Sequence, residues 1–282
     1  MPLVPQPPTD VAWAVETTAA LQSQGYTQRQ IARAVRDGHL IRVRRGHFVL
    51  PGLPAPVLSA AELGTRLDCL SLLAARGVFV LHTQPLHVQV DPLASRRPHP
   101  VGAVRRHWRP TDASDDALMV PVVEALVQSV RCQPPRAAVA TLDSAWHLGL
   151  VDAEGVAEVF ARLPVKYAAL RPLLDRRAEA GTESIARLML RGLGCDVRLQ
   201  VQIDGVGRVD LLVDGWLIVE CDSEQFHSGW REHKNDRRRD LAALALGYTT
   251  VRLLAEDLLF HPDRVLRALR ATVDRGATVR NS

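Results

Sequence analysis

Residues 208–227 read RVDLLVDGWLIVECDSEQFH, and the fold of the C-terminal third turns on their pairing. Two apolar runs flank Asp214-Gly215, a common composition for a β-hairpin turn. Acids interrupt both runs at Asp210, Glu220 and Asp222, and His227 follows. Two strands gather such acids only if register puts them on one face. A two-residue turn at Asp214-Gly215 pairs Val213 with Trp216 and Asp210 with Val219, which sends Glu220 to the other face. A three-residue turn, Val213-Asp214-Gly215, pairs Leu212 with Trp216 and Asp210 with Ile218. Glu220 and Asp222 then join the face of Asp210. Glycine at the third turn position tolerates the left-handed backbone needed there, which favours the second register.

Three carboxylates on one face repel one another. A divalent cation with oxygen ligands relieves that repulsion, and Mg²⁺ (or Mn²⁺) suits a site of few carboxylates. The rival is a structural network in which Arg208, Arg237 and Arg252 neutralise the acids. For Asp210 and Glu220, set among apolar residues, the metal is favoured. Asp222, at the strand end, fits either role.

Working outward, Thr182 is a candidate cap for a helix over 183–191, with Ile185, Leu188 and Met189 on one face. A strand follows at 197–203, then the hairpin, a basic helix over 230–246 closed by Gly247, a strand at 248–254 and a helix at 262–273. The order α-β-β-β-α-β-α predicts an α/β sandwich around a mixed sheet. At the other end, a helix is expected over 10–24 and a second over 28–37, opened by the capping-box pattern Thr27-Gln28-Arg29-Gln30. LIRVRRGHFVLPG then alternates apolar and basic residues as a small hairpin. Helix, turn, helix and hairpin outline a winged helix. Six arginines (29, 33, 36, 42, 44 and 45) face one acid, Asp37, over 29–47. Cations on both helix and wing point to a phosphate backbone, with Arg29, Arg33, Arg42, Arg44 and Arg45 as DNA-binding candidates.

Pro51, Pro54 and Pro56 read as a stiff linker. Strands are expected at 78–81, 86–90 and 101–108, then helices near 121–131, 136–148 and 152–163. The domain reading is 1–52 winged helix, 53–176 mixed α/β region and 177–282 catalytic-type α/β domain. The fold class is therefore α/β (α+β) and multidomain.

Composition narrows the partners. The chain has 282 residues, 47% hydrophobic and 23% charged, so it has the makings of folded cores. No apolar run is long enough to span a membrane. MPLVPQPPTD lacks a signal-peptide pattern, and the expectation is a soluble cytoplasmic protein. Net charge of +4 hints at an anionic partner. The four cysteines, at 69, 132, 195 and 221, form no C-x-x-C pair, and the ten histidines have no zinc-type spacing. His82, His87, His99 and His107 are therefore expected to hold no metal. Lysine occurs only at 166 and 234, so a lysine-based mechanism has few candidates.

The series Glu183 in GTES, Asp210 in RVDLLV, Glu220 and Asp222 in VECD, His227 in FH, then DRRRD and GYTTVR, resembles the DUF559 family. That family is similar to the very-short-patch-repair endonucleases of the PD-(D/E)xK superfamily, and the resemblance covers roughly 180–273. The first 50 residues resemble the winged-helix domain of AbiEi-type antitoxins through GHLIRVRRGHFVLPG. The resemblance implies a metal-dependent endonuclease with Asp210 and Glu220 as metal ligands and Glu183 in a water-mediated contact. It implies His227 as the group that activates water. Arg237, Arg239 and Arg252 would contact the phosphate or orient acids, and Asp236 and Asp240 can pair with them. The superfamily's lysine position is Asp222 here, leaving Lys234 as the available substitute, and Ser223 stands where the family has glycine. The expectation is a Mg²⁺-dependent endodeoxyribonuclease. The alternative is a non-catalytic, antitoxin-like DNA-binding regulator. RNA remains open as substrate, and a double-strand cut, needing two sites, admits a homodimer.

Overall fold

In the computed structural model, residues 13–94, 102–222 and 230–280 are described, the side chains of 230–236 and 277–280 excepted. The fold is mixed α/β and multidomain. Two compact units divide the chain: residues 1–133 with 150–168, and residues 134–149 with 169–282. The expected winged-helix region lies in the first unit, which also holds most of the expected middle region.

The first unit begins with β1 (Glu16–Thr17), α1 (Thr18–Ser23), α2 (Gln28–Arg36), β2 (Ile41–Arg44) and β3 (His47–Val49), with sheet order β1-β3-β2. The expected helix over 10–24 is corrected here. Ala14 bridges Ala117, residues 16–17 are extended, and the helix starts only at Thr18. The reason is local: the Thr17 side chain accepts from the Ala20 N–H at 3.0 Å and caps the helix there. The Thr27/Gln30 capping box is present as expected. Leu21, Ile31 and Phe48 close the small core beneath these elements.

The proline stretch is no linker. Pro54 and Pro56 open α3 (Ala55–Leu63), because proline costs nothing in a first helical turn that lacks N–H partners. Then come β4 (Arg66–Leu67), α4 (Cys69–Ala75), β5 (Leu86–Val90), β6 (Val104–Trp108) and α5 (Val122–Cys132). The sheet order is β4-β5-β6, with β5 and β6 parallel. Residues 78–81, expected as a strand, form none. Leu67, Leu72, Leu73, Val88, Val90, Ala125 and Leu126 are fully buried in this unit.

After α5 the chain enters the second unit with α6 (Pro135–His147), returns to the first with α7 (Ala153–Ala161), and comes back through a 3-10 helix over Val165–Leu173. Every residue from Ala137 to Ala145 is buried, as an alanine-rich helix permits by letting neighbours approach on all sides. The rest is α8 (Gly181–Gly192), β7 (Val197–Ile203), β8 (Gly207–Val213), β9 (Leu217–Asp222), α9 (Trp230–Ala245), β10 (Thr249–Leu254), α10 (Ala255–Phe260) and α11 (Pro262–Arg280). The sheet order is β10-β9-β8-β7, with β10 parallel to β9 and the other pairs antiparallel. Ala243 of α9 packs on Ile203, Val206, Val209, Leu212 and Ile218.

Candidate metal centres

The hairpin register decides where the acids lie. Val213 pairs with Leu217, Leu212 with Ile218 and Leu211 with Val219. The turn is thus three residues long but comprises Asp214-Gly215-Trp216, which corrects the expected Val213-Asp214-Gly215. Asp214 and Gly215 both take positive φ, 49° and 74°, and the Trp216 N–H donates to the Val213 carbonyl. The shift is by one residue on each strand, so parity is conserved. Continuing this register puts Asp210 opposite Glu220, on one face.

Backbone pairing stops at Leu211 and Val219, where the side chains take over. The Asp210 N–H donates to Glu220 Oε2 at 3.4 Å, and the Cys221 N–H donates to Asp210 Oδ2 at 2.9 Å. The acids therefore replace the ladder acceptors they displace. Glu183, buried in the first turn of α8, accepts from the Glu179 and Ala180 N–H groups at 3.1 Å each, and from Gln200 Nε2 at 2.9 Å. This carboxylate, and not Thr182, satisfies the N–H groups that enter the helix. Gln200 stands opposite Asp210 on β7 with φ 53°, and its Oε1 is buried without a hydrogen-bond partner.

Charge at this strand end is crowded. Burial first, then the Asp210 charge, raises the Glu183 carboxyl to about 7. The same two causes raise Glu220 to about 7, while Arg239 opposes them. Burial, followed by Asp210, Glu183, Glu220 and Asp222, pushes the Cys221 thiol well up. Arg239 NH2 lies 3.3 Å from Glu220 Oε1, and Arg252 meets Asp222 at 3.5 Å and Asp240 at 2.8 Å. Buried acids held near neutrality, with an orphaned amide oxygen beside them, fit an oxygen-seeking dication. Their oxygens are not drawn to one point, however; Gln200 and backbone N–H groups link them.

The other sequence-read positions are distributed as follows. Glu183, Asp210 and Glu220 come together, while Asp222 sits at the end of β9 on Arg252. His227 and Ser223 lie outside the described residues, and the Lys234 side chain is not described. Arg237 is exposed on α9. Arg29 and Arg33 on α2, with Arg42 and Arg45 at the β2–β3 hairpin, are exposed, and Arg44 is half-buried. Arg33 pairs with Asp37 at 3.2 Å.

A second group bears on the expectation that the histidines hold no metal: it takes in His87 and His107, whereas His82 is not in it and His99 lies outside the described residues. Cys69, His87, His107 and Cys132 each offer one ligand atom, and all four atoms lie within 4.8 Å of one another. Among the described residues this is the group of His, Cys, Asp or Glu that can hold a metal ion by that measure. The four come from the start of α4, β5, β6 and the end of α5. Topology assembles them, so no short spacing betrays them. Burial lowers the His107 imidazole to about 4. Hydrogen bonding from Cys69 is the main cause that takes the Cys132 thiol down to about 3, and burial pushes the Cys69 thiol far up.

Fold and sites together define a two-unit α/β protein with an acidic group in one unit and a thiol–imidazole group in the other. No protein-family model matches the chain. Two proteins of Mycobacterium tuberculosis, "Uncharacterized protein MT2308" (strain CDC 1551 / Oshkosh) and "Uncharacterized protein Rv2248" (strain ATCC 25618 / H37Rv), are each 31% identical over 269 residues. The match covers 88% of this chain and 98% of each relative. The chain belongs to the family of these mycobacterial proteins.

Proposed function

We propose that the protein is a Mg²⁺- or Mn²⁺-dependent DNA endonuclease of the DUF559 type. The acidic group of the second unit would be its active site, and the AbiEi-like winged-helix segment of the first its DNA anchor. The observation that carries the reading is the clustering of Glu183 and Glu220 about Asp210 at one strand end, with Gln200 bonded to Glu183 and its own Oε1 unpartnered. Asp210 and Glu220 would hold the ion, with Glu183 acting through water. When bound, such an ion lowers the pKa of a water and offsets charge on the phosphate.

The chain's own residues supply the rest. The Cys221 N–H fixes one Asp210 oxygen, and the Asp210 N–H and Arg239 fix both Glu220 oxygens. Family resemblance makes His227 the base that takes the water's proton, a role worth roughly 10²–10⁴-fold. Arg237, exposed on α9, is available to meet phosphate. Arg29, Arg33, Arg42 and Arg45 offer the sequence-independent contacts of a duplex anchor. A supercoiled plasmid incubated with Mg²⁺ or Mn²⁺ tests the reading. Cleavage that survives both Asp210→Ala and Glu220→Ala unchanged would sink it. RNA and single-stranded arms in the same assay define the substrate, and the sedimentation of the active species answers for a homodimer.

One observation favours a second reading, an antitoxin-like DNA-binding regulator without catalysis. Arg239 on Glu220 and Arg252 on Asp222 already neutralise part of the acidic group. Tight binding to its own promoter fragment, with no cleavage in Mn²⁺, would support that reading over the nuclease.

A further inference from the structure

Cys69 and Cys132 are free thiols, and His87 and His107 are buried beside them. His87 Nδ1 and His107 Nε2 face each other at 3.1 Å, with ring centroids 5.2 Å apart. Around a tetrahedral zinc ion, Zn–N bonds of about 2.0 Å and Zn–S bonds of about 2.3 Å put donor atoms roughly 3.3–3.8 Å from one another. A group confined within 4.8 Å matches that shell. It is too tight for a multi-iron cluster, whose ligands must reach separate irons. Two thiolates and two neutral imidazoles suit Zn²⁺ and disfavour Mg²⁺ or Ca²⁺, which take oxygen ligands. Two thiolate charges also cancel those of the ion, so the filled site is neutral in its buried setting.

The surroundings are built to orient these donors. Asp68 caps α4, its Oδ1 accepting from the Cys69 N–H at 2.7 Å. Arg109 grips both Asp68 oxygens at 2.9 and 3.0 Å and is itself held by Glu124. Cys69 is a non-glycine residue at φ 51°, a left-handed backbone that persists only where its surroundings over-determine it. Gln128 Nε2 donates to Cys132 Sγ at 3.3 Å, the kind of outer contact that steadies a metal-bound thiolate. Ser71 Oγ accepts from the His87 N–H at 2.8 Å.

We propose that Cys69, His87, His107 and Cys132 bind a structural Zn²⁺ that ties α4, β5, β6 and α5 together within the first unit. Four protein ligands close the shell and leave no position for substrate, so the ion is a staple and not a catalyst. The proposal does not depend on the nuclease reading, because no acid of the second unit takes part.

The test uses the full chain, purified under reducing conditions. Metal analysis should find stoichiometric zinc. After chelation, refilling with Co²⁺ should give the intense visible bands of a tetrahedral thiolate-bound ion. Both signals should vanish in Cys132→Ser and persist in Cys195→Ser. The wild-type measurements stand on their own if Cys132→Ser fails to fold. A wild-type chain that takes up neither Zn²⁺ nor Co²⁺ overturns the proposal. So does a Cys69–Cys132 disulfide found in reducing buffer, or cobalt bands that survive in Cys132→Ser.

Discussion

Glu183, Asp210 and Glu220 in the second unit, and Cys69, His87, His107 and Cys132 in the first, are both groups of buried and half-buried ligating side chains. They differ in every physical respect that matters to an ion. The acids carry hard oxygens, are tied to backbone N–H groups and share their charge with Arg239. The thiols and imidazoles carry soft or borderline donors gathered within 4.8 Å. An ion held by the acidic group would keep coordination positions open to water and substrate, as catalysis requires. A closed shell of four protein donors leaves none. The comparison therefore predicts a division of labour, activity on one side and stability on the other.

The largest expected effects would break that division. On the nuclease reading, Asp210→Ala should cut metal-dependent cleavage by about a thousandfold or more, since a catalytic metal is worth several kcal/mol. Its melting temperature should stay near that of the parent. Cys132→Ser should do the converse, costing several kcal/mol of stability in the first unit. That loss should fall below the roughly 10–16 kcal/mol that zinc-finger peptides draw from their ion, because this unit has its own apolar core. Calorimetry with the plasmid assay reads both. A Cys132→Ser chain that melts normally but cannot cleave would erase the distinction.

Next in size is a carboxylate that needs no ion. Asp143 and Arg187 are both fully buried and paired at 2.7 Å. The Asp175 N–H and Ser184 Oγ donate to Asp143, and Arg187 NH1 donates to the Leu173 carbonyl, while Arg187 Nε is buried without a hydrogen-bond partner. Arg187→Ala leaves Asp143 unpaired and should cost about 3–5 kcal/mol in a urea titration, with Mn²⁺ giving no rescue. Rescue by Mn²⁺ would mean that a buried acid in this unit binds metal regardless of its setting.

Smaller effects follow from Glu183 and Glu220, each raised from 4.5 to about 7 in the folded chain. The folded state then binds more protons than the unfolded one between those values. Their contribution is complete below about pH 4.5 and is lost as pH rises through about 7. In chelator, the stability of the second unit should decline over that window, by about 1–3 kcal/mol per group. Glu183→Gln or Glu220→Gln should flatten the decline. Millimolar Mg²⁺ or Mn²⁺ should do the same for the parent chain, because an ion favours the ionised carboxylates. A pH profile indifferent to divalent ions would leave the acids as a structural network.

How far the sequence could be read follows from the same contrast. The order of helices and strands after residue 180 was legible except for the short α10, because each strand carries its own apolar run and the longer helices their own stops. The shared face of Asp210 and Glu220 was legible too, since parity survives even when the turn is misplaced by a residue. Gln200 was not: nothing in QVQ announces a left-handed glutamine that turns its amide toward Glu183. Nor was the thiol–imidazole group, whose members meet only after β5 and β6 pair in parallel and α4 and α5 pack together. Thr17 took the capping role from the expected longer helix because hydroxyl-to-backbone bonds outrank weak apolar periodicity in a short segment.

The smallest effect sharpens the comparison at the hairpin itself. Gly215 has φ 74° and nothing near its missing Cβ, so Gly215→Ala should cost only the backbone penalty, about 1 kcal/mol. Register should hold, because the Trp216 N–H still reaches the Val213 carbonyl and the Trp216 carbonyl still accepts from Thr249. The acids would then stay opposed, and cleavage should track the small loss of folded protein. The first unit supplies the reference: with no chain segment in common, the zinc content proposed for it should not change at all. If Gly215→Ala instead removed activity out of proportion to its stability, the turn would be setting the aim of Asp210 and Glu220. The acidic site would then depend on a single loop, whereas the four elements around Cys69 and His87 hold their donors from every side.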